Sequence, residues 1–313
     1  MVYGGVATAT AGAEPGAGVG VVLVAHGGGP AWNARVDSLA ELVDDAFPTR
    51  VALLMGKQAA ARRFQDQVAA LRAAGAQRIV VVPVLMSSHS GHYEQVRYLT
   101  GRVDTLSEVM AHHLAMAGIE RPDDARALIL TPALDGAPEL APVVAERALR
   151  AAGGDLTGRA VLLMGHGPSS AVDYAAWMQA LRALADSVRE RAGAAHVAVG
   201  LVRDDAPEAV RAEAVRHIRD LVELQERATG YPVVVVPLLV ARGYLSERKF
   251  PADLEGLEVD YTPDGVLPHP ALAAWVRRRV MEALRAPAAA TGPVERSAPA
   301  DGVAGLAGSP HGH

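Results

Sequence analysis

Four of the eleven histidines fall where an apolar run hands over to a loop, and the chain has no cysteine at all. His26 closes the run VVLVAHGGG at 21–29, His166 closes VLLMGHG at 161–167, and His89 and His92 follow the apolar run 79–86 in MSSHSGHYEQV, with Glu94 two residues on. A neutral imidazole is both a metal ligand and a base near neutral pH. Imidazoles with one carboxylate and no thiolate suit a borderline divalent ion such as Co²⁺, Fe²⁺ or Ni²⁺, and two or three such ligands leave coordination positions open for transfer. The lack of cysteine excludes disulfides, thiolate zinc sites, iron–sulfur clusters and a cysteine nucleophile.

A histidine at the end of one strand is ordinarily a hydrogen-bonded structural residue. Recurrence of the same ending in both halves, with a histidine-rich loop beside the first, makes His26 the leading ligand, with His92 or His89 as its partner. Glu94 is placed to accept a proton or to orient His92. In the second half the corresponding loop, VARGYLSERKF, offers Tyr244 and Leu245 in place of a histidine, so His166 loses its partner and is read as structural or a relic. His112 and His113 in AHHLAMAG are expected on a helix with one face exposed. Arg203, Arg242, Arg248 and Lys249 could meet an acidic substrate from that half. Two other chemistries lack their residues. A histidine phosphatase needs arginine before the strand-end histidine, where Ala25 and Gly165 stand, and a serine hydrolase needs a GxSxG elbow, which MGHGPSS does not form.

The elements that must hold these residues alternate strand and helix, the pattern of parallel sheets covered by helices. Strands are predicted at 20–25, 50–55, 78–85 and 127–131, with helices near 32–47, 58–74 and 138–152. In the second of these helices Phe64, Val68 and Leu71 make one apolar stripe and Gly75 a stop. The segment 87–118 is expected to hold a loop, containing His89, His92 and Glu94, and one helix. The order repeats with strands at 159–164, 196–201, 232–240 and 258–262 and helices at 172–192, 207–229 and 270–284. VVVPVLM around Pro83 matches VVVPLLV around Pro237, and TPALDGAPEL from Thr131 matches TPDGVLPHPAL from Thr262. The fold class is therefore α/β, with two similar doubly wound parallel-sheet domains facing across a cleft. Their expected limits are 19–152, the active-site half, and 159–285, the degenerate half. GGDLTG at 153–158 links them, and tails at 1–18 and 286–313 are expected to be disordered.

These residues resemble the class II tetrapyrrole chelatases, specifically the long, internally duplicated sirohydrochlorin cobaltochelatase and ferrochelatase type. The resemblance runs from about Gly18 to Leu284, on the strand-His-Gly opening, the VVP third strand, the loop histidine and the proline-containing exit from strand four. It implies a chelatase-like fold and insertion of Co²⁺ or Fe²⁺ into sirohydrochlorin or a related tetrapyrrole, in cobalamin or siroheme biosynthesis. It also implies metal binding by His26 and His92, with proton removal assisted by Glu94. The loop spacing departs slightly from the common pattern and His92-x-Glu94 also resembles the His-x-Glu of protohaem ferrochelatases, so His89 stays a competitor for the second ligand. The cysteine cluster and extended histidine-rich tail of some long members are missing, with only His311 and His313 at the end. A non-catalytic metal or tetrapyrrole carrier of the same fold would share all of these features.

The remaining expectations concern partners. A net charge of −5 provides no basic field for nucleic acid or an anionic membrane. The apolar runs are short, Val/Leu-rich and interrupted by proline, so they are buried strands rather than membrane spans. No GxxxxGK[ST] is present and the glycines of 16–20 precede the first strand, so no nucleotide cofactor is expected. The first eighteen residues lack the charge and apolar centre of a signal peptide, giving a cytoplasmic reading. Duplication makes a monomer with an internal pseudo-two-fold sufficient to build the cleft.

Overall fold

The computed structural model describes residues 18–286. The two expected tails, with His311 and His313, lie outside them but for Gly18 and Ala286.

Two four-stranded parallel sheets form, one per half. The first takes β1 (Val19–Ala25), β2 (Thr49–Leu53), β3 (Arg78–Val84) and β4 (Ile129–Leu130) in the order β2-β1-β3-β4. The second takes β5 (Ala160–Gly165), β6 (His196–Leu201), β7 (Val233–Leu238) and β8 (Val259–Tyr261) in the order β6-β5-β7-β8. Each is an open doubly wound sheet whose order reverses between its first and third strands, where such sheets open a crevice beyond the carboxyl ends. Register brings those ends level: Ala25 pairs with Val84 and Leu53, and Gly165 with Leu238 and Leu201. His26 and His166 are the next residues out, one at each crevice.

The helices sort into three layers. The central one comprises α1 (Pro30–Asp44), α5 (Leu140–Ala151), α6 (Ala171–Ala192) and α9 (Pro270–Arg285), with α1 packed on α9 and α5 on α6. Outside the first sheet lie α2 (Phe64–Ala73), α3 (Gly91–Leu99) and α4 (Glu108–Met116). Outside the second lie α7 (Glu208–Thr229) and, after a π-turn at Leu245–Lys249, the short α8 (Phe250–Asp253). The strands are apolar throughout because both faces are covered. Val21 and Leu23 of β1 face the central layer while Val22 and Val24 face α2 and α3; Val161 and Leu163 of β5 face inward while Leu162 and Met164 face α7. The inward side chains of both sheets belong to one continuous core with Val36, Val143, Leu184, Leu272 and Trp275. Even Leu156 of the linker is inserted into it, 1% exposed. Each such side chain contributes about 1.5–3 kcal/mol by leaving water.

Three sequence expectations are corrected. The helix expected at 58–74 is a 3₁₀ turn at Ala59–Ala61 followed by α2, which starts at Phe64 where the apolar stripe starts. The segment 87–118 holds two helices rather than one. His92 and Glu94 lie in the first turn of α3 rather than in a loop, because the Ser90 side chain accepts a hydrogen bond from the Tyr93 backbone N–H and caps a helix whose Val96 and Leu99 are buried. No helix among the described residues is long and apolar enough to cross a membrane.

One core joining both halves should unfold as one unit. Trp275→Ala is expected to cost about 3–5 kcal/mol, and in urea the far-UV signal and the fluorescence of the remaining tryptophans should move in one coincident transition. Two separated transitions would contradict the shared core.

Candidate metal centre

The first half presents three imidazoles at its crevice. His26 follows β1, and its backbone carbonyl accepts a hydrogen bond from the Met55 N–H at 2.9 Å. Its Nδ1 is 2.7 Å from the Gly27 carbonyl oxygen, which can only accept, so the proton sits on Nδ1 and the Nε2 lone pair is left free. Gly27 permits this turn: its φ is +94°, and a Cβ there would lie 2.1 Å from the Met55 carbonyl oxygen. The next residue is fixed by buried Asn33, which accepts from the Gly28 N–H at 2.8 Å and donates to its carbonyl at 3.2 Å and to Gln58 at 2.7 Å.

His92 reaches the same point from α3. Its ring stands edge-on to His26, centroids 4.5 Å apart at 86°. Gln95, fully buried, donates through Nε2 to the Met110 carbonyl at 2.9 Å, so its Oε1 is the atom that receives His92 Nδ1–H, also at 2.9 Å. His92 Nε2 is therefore also a free lone pair. Behind it lies His113 of α4, its ring 6.5 Å away and inclined 23°, with a buried Nδ1 that has no hydrogen-bond partner. His113 is thus half-buried against His92, while His112 beside it on the same helix is exposed.

Burial keeps the pair neutral. Desolvation, and then the neighbouring His26, push His92 down to about 4. Desolvation lowers His26 as well, opposed by its bond to the Gly27 carbonyl. Asp205, from the second half, acts in the opposite direction on both. The site can therefore present unprotonated nitrogens at neutral pH, the form that binds a metal.

The other residues singled out in the sequence are placed differently. The His89 ring is half exposed and 3.9 Å from Asp173 of α6, while its carbonyl accepts from Trp177 Nε1 at 2.7 Å, a bond between the halves. Glu94 is two residues along α3 from His92, a spacing that turns side chains to different faces, and Arg97 holds its carboxylate at 3.0 Å. In the second half, nine residues beyond the strand proline, the register that gives His92 after Pro83 gives Ser246 after Pro237. Ser246 is fully buried and hydrogen-bonded to Gly243. Arg203 bonds the Pro168 carbonyl, Arg242 pairs with Glu247 and Lys249 with Asp204, while Arg248 is exposed. Between the halves a small cavity is lined by Met86, Asp135, Gly165, Trp177, Leu181 and Leu238.

His113, Gln95 and Asp205 are the site residues that the sequence reading does not pick out for this centre. Gln95 had a legible signal, since a polar residue one turn after His92 on a helix faces it. The other two are set by long-range packing.

Residues 20–151 match the protein-family model CbiX. Among solved structures, the chain is similar to SirB from Bacillus subtilis with Fe³⁺, at 18% identity over 85% of this chain and 96% of that one, TM-score 0.58. It is also similar to the sirohydrochlorin chelatase SirB from Bacillus subtilis subspecies spizizenii in complex with cobalt, at 16% identity over 85% of this chain and 95% of that one, TM-score 0.56. A multi-domain Deinococcus radiodurans protein with structural similarity to chelatases is 21% identical over 83% of this chain and 54% of that one, TM-score 0.52. At these identities the likeness is one of fold. No curated protein matches the chain.

A buried imidazole kept neutral makes stability depend on pH with a definite sign. Between its unfolded value of 6.5 and its folded value of about 4, His92 binds a proton in the unfolded chain and not in the folded one. Stability is therefore full above 6.5 and falls as pH drops towards 4. In urea titrations across that range, His92→Gln is expected to flatten the slope relative to the parent; an unchanged slope would mean that His92 titrates normally in the fold.

Proposed function

We propose that this chain, whose residues 20–151 match the CbiX family model, belongs with the class II tetrapyrrole chelatases and inserts a divalent metal ion into sirohydrochlorin or a related tetrapyrrole. Co²⁺ and Fe²⁺ are the candidate substrates, with Ni²⁺ behind them. The observation that carries this reading is the edge-on contact of two neutral imidazoles, His26 and His92, at the reversal point of the first sheet.

Metal insertion needs ligands that hold an ion firmly enough to collect it and release it to four ring nitrogens. His26 and His92 supply two neutral nitrogens through Nε2, each oriented by an Nδ1–H bonded elsewhere. A pair of neutral ligands leaves the ion's full charge available to attract the macrocycle's nitrogens and keeps other coordination positions open. As the ion moves across, two pyrrole N–H protons must leave the ring. The lone pairs just vacated on His26 and His92 can receive them one at a time and pass each on, because burial disfavours two imidazolium rings in contact. Glu94, held by Arg97 on α3, serves in this reading as an outer acceptor that takes protons onward through water. His113, stacked behind His92, limits the positions its ring can adopt. His89, half exposed beside Asp173, is the weaker candidate for the second ligand.

The test is the absorbance change of sirohydrochlorin on metal insertion by the purified full chain, with Co²⁺ and Fe²⁺ in turn. His26→Ala and His92→Ala are each expected to lower the rate more than about 100-fold, whereas His89→Ala should lower it less than about threefold and Glu94→Gln by about tenfold. A parent rate no faster than spontaneous insertion would leave a carrier rather than a chelatase, and full activity in the double histidine variant would remove the assigned ligands.

A further inference from the structure

The second half repeats the strand-end histidine with the same geometry. His166 Nδ1 is 2.7 Å from the Gly167 carbonyl oxygen, so it carries the ring proton, and Arg203 N–H donates to the His166 carbonyl as Met55 N–H donates to that of His26. The alignment that follows puts Asp204 and Asp205 where the first half has Gly56 and Lys57. Arg203, just before them, has a left-handed backbone, φ +55°, a conformation a non-glycine residue holds only when its surroundings impose it.

The contact this creates can be closed in two ways. His166 Nε2 lies 3.4 Å from Asp205 Oδ2, a separation that either a second ring proton or a shared metal ion would bridge. A tetrahedral ion with bonds of about 2.0–2.1 Å to nitrogen and oxygen spans a ligand-to-ligand edge of roughly 3.3–3.4 Å. Asp204 adds a third oxygen, and atoms of His166, Asp204 and Asp205 all lie within 4.8 Å of one another. The charges around them do not cancel. Asp204 accepts from Arg211 at 2.9 Å and Lys249 at 2.6 Å, and Arg211 also binds Asp253 at 2.9 Å. Two cations therefore meet two carboxylates, and Asp205, which pairs with no arginine or lysine among the described residues, is left as surplus negative charge.

We propose that His166 and Asp205, backed by Asp204, form a second divalent-cation position in the C-terminal half. The binding of the ion there does not depend on the proposed chelatase reading.

The experiment is a Co²⁺ titration of the metal-free full chain without tetrapyrrole, followed by visible absorption and by equilibrium dialysis. The His26→Ala/His92→Ala double variant is expected to retain one Co²⁺ per chain. Adding His166→Ala should abolish it, and adding the near-isosteric Asp205→Asn should weaken it about tenfold or more, with far-UV circular dichroism unchanged throughout. A double variant that binds no Co²⁺ overturns the proposal. So does bound Co²⁺ indifferent to both further substitutions, which would place it elsewhere, for instance on His311 and His313. Because no insertion is measured, a chain that binds Co²⁺ in this pattern yet fails to metallate sirohydrochlorin refutes the proposed function and leaves the site standing.

Discussion

Everything in this fold follows from the need to desolvate two sheets that are apolar on both faces. β1 and β5 have no face that water could share, and the inner face of each can be buried only against the layer formed by α1, α5, α6 and α9. Because one layer serves both sheets, the halves cannot move independently without opening a common core. Their strand ends are therefore held in a fixed relation. Trp177 makes the link to the site concrete: it is part of that core, 7% exposed, yet its Nε1 donates to the His89 carbonyl and so ties the segment leading into α3. Packing in one half thus sets where His92 of the other half starts its helix.

The same burial that makes the core stable makes the imidazoles ligands. An imidazolium would have to be desolvated beside a second imidazole, and the fold resists this by holding His92 far below its ordinary range. The hydrogen bonds at Nδ1 complete the effect. Gly27 and Gln95 each offer an oxygen that accepts a hydrogen bond from Nδ1–H, so His26 and His92 both keep Nε2 as a lone pair. Folding gives up some stability at mildly acid pH and gains nitrogens whose tautomer and direction are already set.

The strands, their repeated His-Gly endings and the alternation that fixes the sheet class are legible in the sequence because short continuous apolar runs and the matching VVVP segments are local patterns. β6 and the start of α9 coincide with their expected positions for the same reason. Local signals fail where composition is ambiguous. GHYEQVRYL contains glycine, histidine and tyrosine, and it reads as loop until Ser90 is recognised as a cap and Val96 and Leu99 as one buried face. β4 shrinks to two residues because only Val80 and Val81 of β3 pair with it. His113 and Asp205 are beyond local reach. The first reaches the centre only because α3 packs on α4, and the second only through electrostatic contact between halves separated by a linker.

What the duplication permits is a separation of charge from coordination. A carboxylate placed directly beside His26 and His92 would bind a divalent ion more strongly but would also oppose its departure to a macrocycle whose nitrogens must compete for it. The first half avoids this, with Gly56 and Lys57 at the exit of β2 and the Glu94 carboxylate drawn to Arg97. The second half has the reverse arrangement: no loop histidine, a buried serine in its register, and two aspartates at the exit of β6. Two copies of one backbone therefore end in unlike chemistry, neutral ligands on one side and net negative charge on the other. The shared helical layer keeps that difference at a fixed separation, which neither half could do alone.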